Sequence, residues 1–110
     1  DGSLGYSLIE FDSYVRHGLA PIAIIGNDAC WAQIAREQVK MLKDDVGVRL
    51  ARTEYHRAAE GLGGAGLVIT RDEDVAPTLA RARELAAAGT PVLVNVHLAE
   101  TDFREGSLSI

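Results

Sequence analysis

Two kinds of apolar segment alternate along the chain. Leu4, Leu8, Phe11 and Val15 recur at helical spacing, a stripe that predicts an amphipathic helix opening at Ser3, ended by Gly18 and kept from resuming by Pro21. Residues 21–26, Pro-Ile-Ala-Ile-Ile-Gly, form a short, continuous, Ile-rich run, which is how a strand buried on both faces of a parallel sheet reads. The spacing then predicts a helix over 32–42, with Ile34, Ala35 and Val39 inward, ended by Lys43-Asp44-Asp45. Residues 46–52 fit no single period. Thr53 suits the N-cap of a short helix carrying Tyr55, Ala58, Ala59 and Leu62 inward and stopped by Gly63-Gly64. A second buried strand is predicted over 66–70. The helix after it holds Asp72, Glu73 and Asp74 in its opening turn, where the dipole favours them, and a cap at Asp74 puts Pro77 at N3, where no intrahelical N–H bond is lost. Leu79, Ala82 and Ala86 line its inner face, Gly89 and Pro91 close it, and residues 91–98 read as a third strand.

Strands alternating with helices predict a three-layer α/β/α fold with a mainly parallel sheet. Composition adds bounds. At 110 residues, 47% apolar and 25% charged, the chain is one globular domain's worth. A net charge of −5 without a basic stripe argues against nucleic acid as a partner. No apolar run approaches the roughly 18 residues of a membrane span, and no signal peptide opens the sequence. The lone Cys30 has no internal disulfide partner, which fits a reducing compartment, and a cytoplasmic location is expected. The chain opens on a functional-looking residue without an initiator Met, so a fragment of a longer protein is expected. The polar tail, 101–110, is expected to wind over the surface.

The candidate chemistry lies in Asp1-Gly2-Ser3 and in Asn27, which stands just beyond the first strand's carboxyl end, where open α/β sheets bind ligands. Magnesium seeks hard oxygens shared among carboxylates, waters and phosphates; Asp1 offers a carboxylate and Asn27 an amide oxygen. Gly2 lets backbone approach a phosphate closely, and the N–H groups of Gly2 and Ser3 open a helix, where anions are favoured. The remaining polar and reactive residues read more plainly. Cys30 is a small buried hydrophobe, and Trp31 is packing or a channel wall. His17 suits a helix C-terminus, His56 lacks partners at zinc spacing, and His97 suits the surface. Glu10 and Asp12 read as solvated. Gly61, Gly63, Gly64 and Gly66 precede a strand instead of following one, so they are helix-to-strand turns and not a dinucleotide loop.

Asp1-Gly2-Ser3, a helix, an Ile-rich strand and Asn27 resemble the thiamine-diphosphate fingerprint, which runs from Gly-Asp-Gly to Asn-Asn. Tyr55-His56-Arg57-Ala58-Ala59-Glu60-Gly61-Leu62-Gly63 and Gly89-Thr90-Pro91-Val92-Leu93-Val94-Asn95 resemble the last domain of the acetolactate synthase group. The wording of residues 6–12, 26–31 and 101–104 resembles its acetolactate-synthase-like, 2-hydroxyacyl-CoA lyase members. The resemblance covers essentially the whole chain and implies the C-terminal thiamine-diphosphate-binding fold, truncated at its N-terminus. It implies Asp1 and Asn27 as side-chain magnesium ligands, the Ala29 carbonyl as a third protein oxygen, and Gly2, Ser3, Asp28 and Ala29 as cofactor contacts. Two departures stand out: the fingerprint's first Gly is absent, and its second Asn is Asp28, whose extra carboxylate either repels the diphosphate or points away. The implied reaction makes or breaks a carbon–carbon bond next to a carbonyl in a 2-oxo acid, aldehyde or acyl-CoA substrate, with the hard chemistry supplied by the cofactor. The activating glutamate belongs to a different domain, usually on a partner subunit, so the piece alone is expected to be inactive and the full chain a homodimer or homotetramer. A 2-oxo acid or oxalyl-CoA decarboxylase is the alternative enzyme reading. A non-catalytic α/β binding module is the alternative outside enzymes.

Overall fold

The structure, a computed structural model, describes residues 2–99. Its elements are a 3-10 turn (Gly2–Tyr6), α1 (Glu10–Arg16), β1 (Ile22–Asn27), α2 (Ala32–Leu42), α3 (Tyr55–Gly61), β2 (Ala65–Ile69), a second 3-10 turn (Asp72–Asp74), α4 (Val75–Ala87) and β3 (Val92–His97). The three strands form one parallel sheet in the order β1-β3-β2, with Ile22 and Ala65 both level with Val92. Central β3 is the continuous apolar run the pattern requires: Val92, Leu93 and Val94 are all fully buried. Burying each contributes roughly 1.5–3 kcal/mol. Side chains alternate across the sheet, so Leu93 faces Phe11 of α1 and Ala59 of α3, while Val92 and Val94 face Ala82 of α4 and Ile69. This gives the expected three layers, α1 and α3 on one face and α4 on the other.

Several expectations need correction. The apolar stripe from Leu4 to Val15 is not one helix: a 3-10 turn and a loop precede α1, so Leu4 and Leu8 reach the Phe11 cluster from irregular backbone while Val15 is largely exposed. Strand β1 is an edge strand, not one buried on both faces; Ile24 is 58% exposed, because on that side α4 packs mainly over β2 and β3. Helix α2 has the predicted bounds but no buried residue, and Ile34 and Val39 are exposed, since it stands off the sheet.

The termini of the helices follow local chemistry. Lys43 ends α2 in the left-handed region at φ 58°. Asp74 is the residue before α4, which places Pro77 at N3 as expected. Its carboxylate takes two hydrogen bonds from Arg71, at 2.9 and 3.0 Å, instead of capping the helix. That hydrogen bond and the adjacent positive charge hold the Asp74 carboxyl below its ordinary range, so its small contribution to stability is fully present above the usual carboxylate range and is lost as pH falls through the lowered folded-state value. Thr53 is not a cap either. Its hydroxyl donates to the Ala51 carbonyl at 3.4 Å, and Glu54 precedes α3 without a side-chain cap. Asp12 is paired with Arg16 at 2.7 Å, an exposed i,i+4 contact of little energetic weight.

Candidate cofactor and metal site

Residues 27–31 leave the carboxyl end of β1 through two successive Asx turns. The Ala29 N–H donates to Asn27 Oδ1 at 3.3 Å, and the Cys30 N–H donates to Asp28 Oδ1 at 3.2 Å. Between them Ala29 adopts φ 58°, a left-handed conformation that costs a non-glycine residue about 1–2 kcal/mol. The turn is held on its far side by the segment after α2: the Leu50 N–H donates to the Ala29 carbonyl and the Trp31 N–H to the Val48 carbonyl, each at 2.8 Å, around an antiparallel bridge between Cys30 and Arg49. Residues 46–52, which fit no period in the sequence, thus contain the bridge partner of this turn, and Val48 within them is buried. Cys30 is buried, as its hydrophobic reading expects.

Asn27 is fully buried, and both hydrogens of its amide nitrogen are committed, to the Thr53 carbonyl at 3.0 Å and to Asn95 Oδ1 at 3.1 Å. Asn95, also fully buried, completes the set by donating to the same Thr53 carbonyl at 3.2 Å and to His56 Nδ1 at 3.3 Å. Because the Asn95 amide is the donor, the ring proton of His56 is assigned to Nε2. Arg52 adds a brace, with Nη1 donating to the Asn27 carbonyl at 2.7 Å and Nη2 to the Leu98 carbonyl at 3.0 Å, across the carboxyl ends of β1 and β3.

Asp28 differs from its neighbour. It is only partly buried, and with one oxygen taken by Cys30 the other is open among the described residues. The Ala29 carbonyl, already bonded to Leu50, retains a second lone pair. The second Asp28 oxygen and the Ala29 carbonyl are hard donors of the kind magnesium accepts, while the Asn27 amide is committed to partners within the protein. Among the described residues no cluster of three or more His, Cys, Asp or Glu side chains is suited to a metal. Asp1 lies outside the described residues.

Gly2 meets the site from the other side. A Cβ built on it would fall 2.6 Å from Trp31 Cε3, so the indole occupies the space the missing side chain leaves. Trp31 in turn meets Tyr6 edge to face, with ring centroids 6.0 Å apart. Trp31 is thus the packing bridge between the turn at Gly2 and Ser3 and the turn at residues 27–31. Gly2→Ala must displace the indole, and the expected result is a cost of about 1–3 kcal/mol with a shifted tryptophan emission maximum, read by chemical unfolding and fluorescence.

Sequence reasoning missed Asn95, Arg52 and the structural role of His56. The available signal was Asn95 itself, a polar side chain inside a run otherwise apolar on both faces, which has to find a buried partner. His97 is also not a plain surface residue. It is level with Asn27, and its Nε2 is buried with no hydrogen-bond partner among the described residues.

Residues 1–96 match the family described as thiamine pyrophosphate enzyme, C-terminal TPP binding domain. The chain belongs to that family. The thiamine-pyrophosphate-binding domain is 51% identical over 112 aligned residues to 2-hydroxyacyl-CoA lyase 2 of Mus musculus and 48% identical to that of Homo sapiens, covering 100% of this chain and 18% of each relative. It is 33% identical to the acetolactate synthase large subunit of Mycobacterium tuberculosis, over 87% of this chain and 17% of that protein. The domain therefore spans less than a fifth of the length of these relatives. Its three-stranded parallel sheet between helical layers agrees with the family's α/β architecture, and the fingerprint positions Gly2, Asn27 and Asp28 fall at one edge of it.

Proposed function

We propose that the full-length protein is a magnesium-dependent thiamine-diphosphate enzyme that makes or breaks a carbon–carbon bond next to a carbonyl, of the 2-hydroxyacyl-CoA lyase kind. The observation that carries this reading is the 51% identity to a 2-hydroxyacyl-CoA lyase over the whole chain, against 33% to an acetolactate synthase. The geometry supports it through the double Asx turn at the carboxyl edge of the sheet, where one Asp28 oxygen and one Ala29 lone pair have no hydrogen-bond partner among the described residues. Asp28, with Asp1 and the Ala29 carbonyl, would hold the metal. Asn27 is the weaker candidate, since both hydrogens and the oxygen of its amide are engaged inside the protein. Gly2 and Ser3 would receive the diphosphate on backbone N–H groups, and Asp28 would then meet that anion through the cation instead of repelling it. The bound cofactor supplies the nucleophile and electron sink for the reaction.

The activating glutamate would come from another domain of a partner subunit, making the enzyme a homodimer or homotetramer, and a cytoplasmic setting fits the single buried thiol. No described helix is long and apolar enough to cross a membrane. Product analysis of the full-length protein with a 2-hydroxyacyl-CoA, with pyruvate and with an aldehyde tests the reading. Cleavage of the 2-hydroxyacyl-CoA that requires both thiamine diphosphate and magnesium is expected. Acetolactate formed from pyruvate instead would move the protein to the synthase group, and turnover without added or bound cofactor would overturn the reading altogether.

A further inference from the structure

We propose that Asn95 and His56 are positioning residues for the site above: they hold the left-handed turn at Ala29, and through it Asp28, in the shape that receives a magnesium-bound diphosphate. The proposal rests on the thiamine-diphosphate reading and adds two residues that touch neither metal nor cofactor. Its origin is the strained backbone. Ala29 sits at φ 58° between two Asx turns, a conformation that persists in a residue with a Cβ only when its surroundings over-determine it. One of the restraints is the Ala29 N–H bond to Asn27 Oδ1, and that oxygen is aimed by whatever holds the rest of the Asn27 amide.

What holds it is a set of bonds that engages all four amide N–H groups of Asn27 and Asn95. Asn27 Nδ2 reaches Asn95 Oδ1 and the Thr53 carbonyl; Asn95 Nδ2 reaches the same carbonyl and His56 Nδ1. If the Asn95 amide rotated by half a turn, its N–H groups would face the Asn27 N–H and its oxygen would face the Thr53 carbonyl, so that carbonyl, which can only accept, fixes the orientation of both amides, and His56 Nδ1 takes the remaining Asn95 N–H. The chain of dependence runs from a ring on α3, through the central strand, to the amide at the end of β1 and then to the strained turn. Its buried position separates it from solvent: Asn27 and Asn95 are fully buried and His56 is nearly so.

The test uses the full-length protein and reads magnesium-dependent thiamine-diphosphate affinity by calorimetry, beside the melting temperature of the unliganded protein. Asn95→Leu and His56→Leu are expected to weaken cofactor affinity by roughly 10- to 100-fold, the range found when groups supporting a metal ligand are lost. His56→Asn, which places an acceptor oxygen where Nδ1 stands, is expected to restore most of that affinity. Ala29→Gly is expected to rescue His56→Leu, because glycine takes the left-handed turn without being held there. Should Asn95→Leu not fold, His56→Leu, which removes only the last bond of the set, carries the same comparison. If either leucine variant lowers the melting temperature but leaves affinity unchanged, or if Ala29→Gly gives no rescue, the positioning role is overturned and the network is structural only. A wild-type protein that fails to bind the cofactor with magnesium would instead overturn the underlying reading.

Discussion

Asp28→Ala in the full-length protein is expected to lower magnesium-dependent thiamine-diphosphate affinity by on the order of 100-fold or more, since loss of a supporting group alone costs roughly 10- to 100-fold. The same change should barely affect stability. Asp28 makes one local hydrogen bond, to the Cys30 N–H, and is only partly buried, so about 0.5–1.5 kcal/mol is at stake. Asn27→Ala should lose stability as well as affinity: it leaves the part-buried Ala29 N–H and the buried Asn95 Oδ1 without partners, a cost of about 1–3 kcal/mol for each group stranded, and by freeing the Ala29 turn it should weaken cofactor binding roughly 10- to 100-fold. Asp28→Asn keeps an oxygen at the fingerprint's second asparagine position and removes one negative charge beside the diphosphate, so its affinity should stay within about 10-fold of wild type. Calorimetric titration paired with urea unfolding separates the two residues. An Asp28→Ala protein of unchanged affinity, beside an Asn27→Ala protein that is stable yet no longer binds, would return the metal to Asn27.

How this arrangement was written in the sequence differs by element. Strand β3 was legible because Val92, Leu93 and Val94 are buried on both faces, so their pattern reports their environment directly. Strand β1 is a similarly apolar run but lies at the edge, and an Ile-rich run carries no mark of whether a second helix covers it. The bounds of α2 were legible from its period and its lysine terminator; its inner face was not, because an amphipathic stripe gives a direction without saying what stands opposite. At the site, the pairing of residue 2 with residues 27–31 followed from strand placement, and the structure adds the physical contact through Trp31. The inward turn of Asn27 was hidden because its partners, Thr53 and Asn95, are brought to it only by the parallel crossover and the sheet register. Reading Asn-Asp as tandem Asx turns would have shown that one oxygen of each side chain is spent locally.

Gly66→Ala is expected to be the most damaging small substitution in the domain, with a loss of about 3 kcal/mol or more in chemical unfolding. A Cβ on Gly66 would run into the carbonyl of His56 and lie 2.7 Å from its carbonyl carbon, and the obstacle is helix backbone with no rotamer to yield. Either α3 lifts from the sheet, exposing Ala59 and loosening the cluster with Phe11 and Leu93, or β2 slips against β3. Gly61→Ala provides the contrast. It ends the same helix, meets nothing within 4 Å, and should stabilise by about 0.4–1 kcal/mol through the unfolded chain alone. The damage at Gly66 should also reach the cofactor. His56 presents its carbonyl to Gly66 and its ring to Asn95, so a helix pushed away from β2 carries the ring with it and releases the amides that aim Asn27 at Ala29. Under conditions where the Gly66→Ala protein remains folded, its magnesium-dependent cofactor affinity should therefore fall with its stability, while that of Gly61→Ala stays at the wild-type value. Equal affinities in the two variants would mean that the sheet edge keeps its shape without α3.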